Sequence, residues 1–299
     1  MLLPFNLLAR RARCSLRRAQ FAAGHLKAGG KRARSRISKA TTTGDFMTYC
    51  LSIMTHEGLV MASDSRTNAG SDDLNVARKM HTFLQPGERV FVVLCSGSLS
   101  LSQSVINLLR ASFDAGEGLA QANSMYEAAR EVGEAVRQVS DLDRAALERD
   151  SYNFNVHLLL GGQVRGEKPC TFLIYPQGNP LSSTEDSPFL QLGECKYGRP
   201  ILDRGIVYDS TSLKSAAKYA LLSFDATMRS NVTVGPPIEL LLYKKDSFHL
   251  DSYRKFRDKD PELETIHALW ERSLRNAVED LPDLSFNRHP AEEPQPVLL

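Results

Sequence analysis

Thr48-Tyr49-Cys50-Leu51-Ser52-Ile53, a turn at His56-Glu57-Gly58, and Leu59-Val60-Met61-Ala62-Ser63-Asp64 decide how the rest of this chain is read. Two β-rich apolar runs around a short Gly-containing turn are the pattern of an antiparallel hairpin. Pairing returns Asp64, at the end of the second strand, to the start of the first, where Thr48 lies. Removal of Met47 before this small residue would leave Thr48 with both a hydroxyl and a free α-amine. An α-amine has an unperturbed pKa of about 7.7–8 and can take the proton of its own hydroxyl, directly or through a water. Thr48 is then nucleophile and base in one residue. The segment Arg78-Lys79-Met80 is placed to run beside the hairpin. A buried Lys79 ammonium there favours the alkoxide and the neutral amine, and Asp64 holds it charged and in place. Singly these residues are ordinary, since a Thr at a strand start or an Asp after a strand is most often only that.

Outward from the hairpin, Arg89 to Cys95 is another β-rich run, closed by Ser96-Gly97 and followed by helical spacing from Ser100 to Phe113. Apolar positions at Met125, Ala128, Ala129, Val132, Ala135 and Val139 predict a second helix over Ser124–Val139. Strands are predicted at Asn155–Gly162, Cys170–Tyr175 and Phe189–Gly193, a helix from Ser212 to Arg229, a strand at Pro237–Tyr243 and a helix from Glu262 to Ala277. Strands, two helices, strands, then helices is an α+β order, unlike the regular strand–helix repeat of a doubly wound fold.

The chain has 299 residues and 42% apolar content, enough for a substantial core, and no uninterrupted apolar stretch long enough to span a bilayer. A transmembrane helical protein is excluded on that reading. The net charge of +2 averages two unlike regions: residues 1–46 carry eleven Lys/Arg against Asp45 alone, leaving 26 basic and 34 acidic residues from Met47 onward, about −8. An acidic body argues against a nucleic-acid binder. For residues 1–46 the order of charge and apolar residues is wrong for a secretory signal. A transit peptide, a nucleic-acid arm at Lys31-Arg32-Ala33-Arg34-Ser35-Arg36, and a pro-segment or over-extended start stay open, the last favoured, with the functional body at 47–280 and a loose tail over 281–299. Five dispersed cysteines (Cys14, Cys50, Cys95, Cys170, Cys195) without a C-x-x-C pair indicate a reducing compartment.

Gly58-Leu59-Val60-Met61-Ala62-Ser63-Asp64-Ser65-Arg66-Thr67, then Lys79, then Leu94-Cys95-Ser96-Gly97 resembles the N-terminal half of proteasome β-type subunits. The closer resemblance is to the bacterial ancestral-β-subunit (Anbu) family, whose chains begin Met-Thr-Tyr-Cys and carry Ser-Asp-Ser-Arg-Thr-Asn-Ala-Gly, as here at Met47–Cys50 and Ser63–Gly70. It extends through Leu192–Leu202 and Met228–Pro237, covering nearly everything from Met47 to Tyr243. The resemblance implies an N-terminal nucleophile hydrolase fold, a four-layer αββα sandwich. It sets Thr48 on the nucleophile, Asp64 on its acidic partner, Lys79 on the catalytic lysine and Gly97 on the glycine whose N–H stabilises the oxyanion. The chain departs from the proteasome pattern at the residues that support the Thr amine. Glu194 or Cys195 stands near the first Ser, Thr227 at the Asp, and Ser230 at the second Ser.

If the family arrangement holds, Thr67, Ala77, Cys95 and Leu99 line the first specificity pocket; none is charged, so apolar residues are expected before the scissile bond. Other motifs carry less. Gly161-Gly162-Gln163-Val164-Arg165-Gly166-Glu167-Lys168 lacks the Gly-Lys-Ser/Thr ending of a phosphate loop and reads as a solvated hairpin turn. The seven histidines hold no metal-spaced pair, His157 reads as a core or interface residue, and Cys50 and Cys95 read as small buried fillers first and thiol sensors second. Arg254-Lys255-Phe256-Arg257 reads as a solvated or subunit-facing surface. The expectation is a cytoplasmic, self-assembling threonine-type endopeptidase acting on a peptide or protein. It needs no cofactor, metal, nucleic acid or membrane, and it assembles as a ring or an open helix. The rival readings are a catalytically quiet scaffold subunit and a small-molecule amide hydrolase of the same fold.

Overall fold

In the computed structural model, which describes residues 48–68, 74–250 and 252–286, the hairpin consists of β1 (Tyr49–Thr55) and β2 (Gly58–Asp64) joined through His56-Glu57. Every residue of both strands is buried. Successive side chains point to opposite faces of a strand, so total burial requires cover on both sides. Tyr49, Leu51, Ile53, Val60 and Ala62 pack on one side, and Cys50, Met54, Leu59 and Met61 on the other. The register runs to Cys50 opposite Ser63, which leaves Asp64 beside Tyr49. Residues 1–46 and Met47 lie outside the described residues, as do 287–299.

Next come a two-stranded ribbon, β3 (Arg66–Asn68) and β4 (Leu74–Val76), then β5 (Met80–Gln85), β6 (Arg89–Gly97), α1 (Leu99–Asp114) and α2 (Met125–Arg149). They are followed by β7 (Val156–Val164), β8 (Cys170–Ile174), β9 (Pro180–Ser182), β10 (Phe189–Gly193), α3 (Arg199–Gly205) and α4 (Leu213–Ser230). β11 (Ile238–Lys244), β12 (Ser252–Phe256) and α5 (Pro261–Glu279) close the described chain. One sheet has the order β10-β1-β2-β11-β12, the other β5-β6-β7-β8-β9, and each pairing is antiparallel. The described residues thus form an α+β fold with two five-stranded antiparallel sheets and five α-helices.

Three apolar clusters hold it together. Met61, Leu94, Leu159, Leu241 and Tyr243 meet in one, drawn from strands of both sheets. Val105, Leu109, Val132 and Val136 of α1 and α2 pack on Phe91, Leu158 and Ile174 of the second sheet. Ala216, Ala220 and Phe224 of α4, with Leu202 of α3, pack on Leu51, Val60 and Leu240 of the first. Each fully buried large side chain in these clusters contributes about 1.5–3 kcal/mol.

The predicted helices and strands are present with shifted bounds. α2 continues past Val139 to Arg149 on a solvated, charged face with an Arg144–Glu148 pair. Gly161 and Gly162 lie in strand β7, as the strand expected over Asn155–Gly162 has it, where the sheet packs too closely for a side chain. A Cβ on Gly162 would lie 2.1 Å from the Val90 carbonyl oxygen, and one on Gly161 would lie 2.6 Å from Met61 Sδ. The solvated turn is confined to Arg165–Lys168. Arg254 to Phe256 belongs to edge strand β12, with Arg254 and Lys255 exposed. Residues 281–286 are exposed and continue no helix. No helix among the described residues is long and apolar enough to cross a membrane.

Candidate active site

Asp64 ends β2 fully buried, and its Oδ1 accepts two bonds, from the Tyr49 N–H at 3.0 Å and from Lys79 Nζ at 2.8 Å. Lys79, itself buried, donates also to the Arg66 carbonyl at 2.6 Å, while its own carbonyl accepts the Cys95 N–H at 3.0 Å. Backbone and side chain of Lys79 are therefore both fixed, on the segment that leads into β5. Burial pushes the Asp64 carboxyl up, and the Lys79 ammonium with the Tyr49 and Gly235 amides holds it back.

Thr48, which precedes β1, is nearly buried. Its carbonyl accepts the Glu194 N–H at 3.0 Å, extending the β1–β10 pairing by one residue beyond Tyr49 opposite Gly193. That approach requires a glycine at 193. With φ at +83°, a Cβ there would fall 1.7 Å from the Thr48 carbonyl oxygen. Tyr49 is fixed from the other side, where its hydroxyl bonds Ser223 Oγ of α4 at 2.6 Å and accepts from Gln191 Nε2.

Thr48, Lys79, Cys95, Gly97 and Leu99 line one small cleft. Gly97 ends β6 at φ +102°, turning the chain into α1, and a Cβ on it would lie 2.3 Å from the Asn155 carbonyl oxygen. Of the other expected pocket residues, Ala77 is half-buried, bonds the Ser65 carbonyl through its N–H and does not line the cleft. Thr67 lies in β3, and its side chain is outside the described residues. Arg78, His81 and Gln103 line the cleft and were not foreseen; His81 lies in β5, which shows no two-residue apolar alternation to reveal its faces, Arg78 precedes that strand, and Gln103 is on α1. Burial, with Arg78 and Arg110 nearby, pushes the His81 imidazole down to about 4, so it is neutral at pH 7. Burial pushes the Cys95 thiol up to about 12 and Cys50 well above the usual thiol range, which makes both poor nucleophiles.

The supporting positions differ from the proteasome pattern in a defined way. Thr227 is fully buried and its hydroxyl donates to the Ser223 carbonyl at 2.8 Å. Glu194 Oε2 accepts from Asn231 Nδ2 at 3.3 Å, and Asn231 in turn holds Thr233. Cys195 Sγ lies 3.3 Å from the Gly193 carbonyl oxygen. A larger cavity of about 720 Å³, walled by Leu221, Leu240, Phe256 and Trp270, lies away from this chemistry and offers mainly apolar side chains. Among the described residues no group of His, Cys, Asp and Glu is arranged to hold a metal ion.

Solved structures match the fold along most of the chain. The protein is similar to Anbu (ancestral β-subunit) from Yersinia bercovieri, at 43% identity over 81% of this chain and 100% of that one, with a TM-score of 0.75. The chain belongs to the Anbu family. Anbu from Pseudomonas aeruginosa, solved as a helical assembly, is 44% identical over 80% of this chain and 98% of that one, with a TM-score of 0.76. An Anbu (Gly-1) mutant from Hyphomicrobium sp. strain MC1 is 40% identical over 80% of this chain and 100% of that one, with a TM-score of 0.75. No family model and no curated protein matches the chain. Membership in Anbu, a proteasome-like group of N-terminal nucleophile hydrolases, agrees with the two antiparallel sheets.

Proposed function

We propose that this Anbu chain is a threonine-type endopeptidase with the four-layer αββα arrangement, in which Thr48 becomes the first residue and attacks a peptide carbonyl. The observation that carries the reading is the buried Lys79–Asp64 pair at 2.8 Å, whose lysine lines the same cleft as Thr48 and Gly97. With Met47 removed, the α-amine of Thr48 takes the proton from Oγ1 as the C–O bond forms. The Lys79 ammonium lowers the energy of the alkoxide, and the Gly97 N–H receives the oxyanion. The protonated amine gives its proton to the leaving amine as the C–N bond breaks. A water, activated by the same amine, then hydrolyses the ester and restores Thr48. Asp64 keeps Lys79 charged and oriented throughout.

The working form is a cytoplasmic homo-oligomer, a ring or an open helix, as supported by the helical assembly of the Pseudomonas aeruginosa relative. Residues 1–46 are a segment removed or not made, and the tail beyond 280 takes no part in the chemistry. The scaffold reading draws on one observation, that the Thr227 hydroxyl is committed to the Ser223 carbonyl and the amine-supporting Asp is missing. Intact-mass measurement separates the two. Protein expressed from a start at Met47 is expected to begin at Thr48; retention of Met47 removes the base and leaves the scaffold reading.

A further inference from the structure

We propose that the cleft beside Thr48 selects a substrate carboxylate, an acidic side chain directly before the scissile bond, with Arg78 as the residue that determines this specificity. The inference rests on the peptidase reading and names its substrate class. Among the described residues no Asp or Glu lines the cleft, whereas Arg78, Lys79 and His81 do. The charge of Lys79 is matched by Asp64, which is fully buried behind it, and two of its three donors are committed to Asp64 and Arg66. Arg78 is different. Its Nε donates to the Met80 carbonyl at 2.7 Å, which fixes the guanidinium plane while its two Nη groups form no ion pair among the described residues. An exposed guanidinium held by one edge presents the other to a carboxylate, the partner whose geometry it fits.

The surroundings reinforce the sign. Arg110 lies near His81, bonded to the Thr82 carbonyl at 2.6 Å and stacked 4.1 Å over the Phe83 ring, and it too forms no ion pair among the described residues. His81, neutral at pH 7, adds a ring N–H or a lone pair but no charge, and Gln103 adds an amide. Leu99 and Cys95 supply the apolar wall for the methylene groups of an acidic side chain. The uncharged set Thr67, Ala77, Cys95 and Leu99 led to an apolar preference. Among the described residues Cys95 and Leu99 line the cleft and Ala77 does not, and Arg78 adds a positive charge to that wall, which favours a carboxylate over an apolar side chain.

The test uses acetyl-Ala-Ala-Ala-X aminocoumarin amides, with X as Glu, Leu or Lys, and the chain beginning at Thr48. Glu is expected to exceed Leu by about tenfold in kcat/KM, and Arg78→Ala is expected to lower kcat/KM for Glu about tenfold more than for Leu, which erases the preference. Arg78→Glu should favour Lys instead. Calorimetric binding of the same sequences as plain C-terminal amides to a Thr48→Ala variant reads recognition without turnover. Tighter binding of the Glu peptide there, combined with no hydrolysis of any peptide by the Thr48 form, supports carboxylate recognition and overturns the peptidase reading. Equal binding of the Glu and Leu peptides, or a Glu preference that survives in both Arg78 variants, overturns the inference.

Discussion

Replacing Lys79 by Ala is expected to lower acylation of Thr48 on the order of 10³-fold, because the cation that favours the alkoxide is lost. The same change leaves Asp64 fully buried without its counter-ion, a destabilisation of about 3–5 kcal/mol while the carboxylate remains charged. Asp64 relieves part of this by binding a proton, since burial already pushes its carboxyl up and Lys79 no longer opposes the shift. A folded-state pKa raised above the unfolded one gives stability that is complete below the unfolded value of about 3.9 and is lost as pH rises through the folded value. The variant should therefore be relatively more stable in acid than the unaltered chain. Lys79→Met combined with Asp64→Asn should recover the stability and not the activity. Lys79→Arg should fail as well, since a guanidinium cannot serve as a point charge bonding both Asp64 Oδ1 at 2.8 Å and the Arg66 carbonyl at 2.6 Å. Near-normal turnover in Lys79→Arg would remove Lys79 from the mechanism.

The largest effect on the backbone is expected from Gly193→Ala. The added Cβ would lie 1.7 Å from the Thr48 carbonyl oxygen at a φ of +83°, so β10 must leave β1 at the point where the nucleophile is held. A loss on the order of 3 kcal/mol or more is expected, together with loss of acylation. Gly166→Ala is the control, with φ at +90° and open space around the new methyl, and should lose only about 1 kcal/mol. Urea unfolding of the two variants makes the comparison, and equal midpoints would show that Gly193 is a turn residue with no bearing on Thr48.

The hairpin was legible because both strands are mainly apolar and the turn between them is marked by Gly58, and the hairpin alone sets Asp64 beside Tyr49. Lys79 was harder to place. It stands outside any periodic run, and what fixes it is a backbone bond to Cys95, which is remote in sequence. β5 escaped because its buried residues, Met80 and Phe83, are three apart. β12 was hidden by Tyr253, Arg254 and Lys255, which are exposed on a sheet edge, with Phe256 alone buried. Gly193 appeared in the sequence only as part of a family stretch. Its necessity lies in a contact of less than van der Waals distance, which spacing cannot show. Arg78 was adjacent to a residue already singled out, yet only the cleft reveals that its charge is shared with Thr48's surroundings.

The central claim is that Thr48, freed of Met47, is the nucleophile, and covalent labelling tests it most directly. The chain beginning at Thr48 is treated with a peptidyl β-lactone, and its N-terminal peptide is sequenced by mass spectrometry. The account predicts one acyl adduct, on the Thr48 hydroxyl, absent from Thr48→Ala and strongly reduced in Lys79→Ala. An unmodified Thr48 beside an adduct on Cys95 or on any other residue would contradict it.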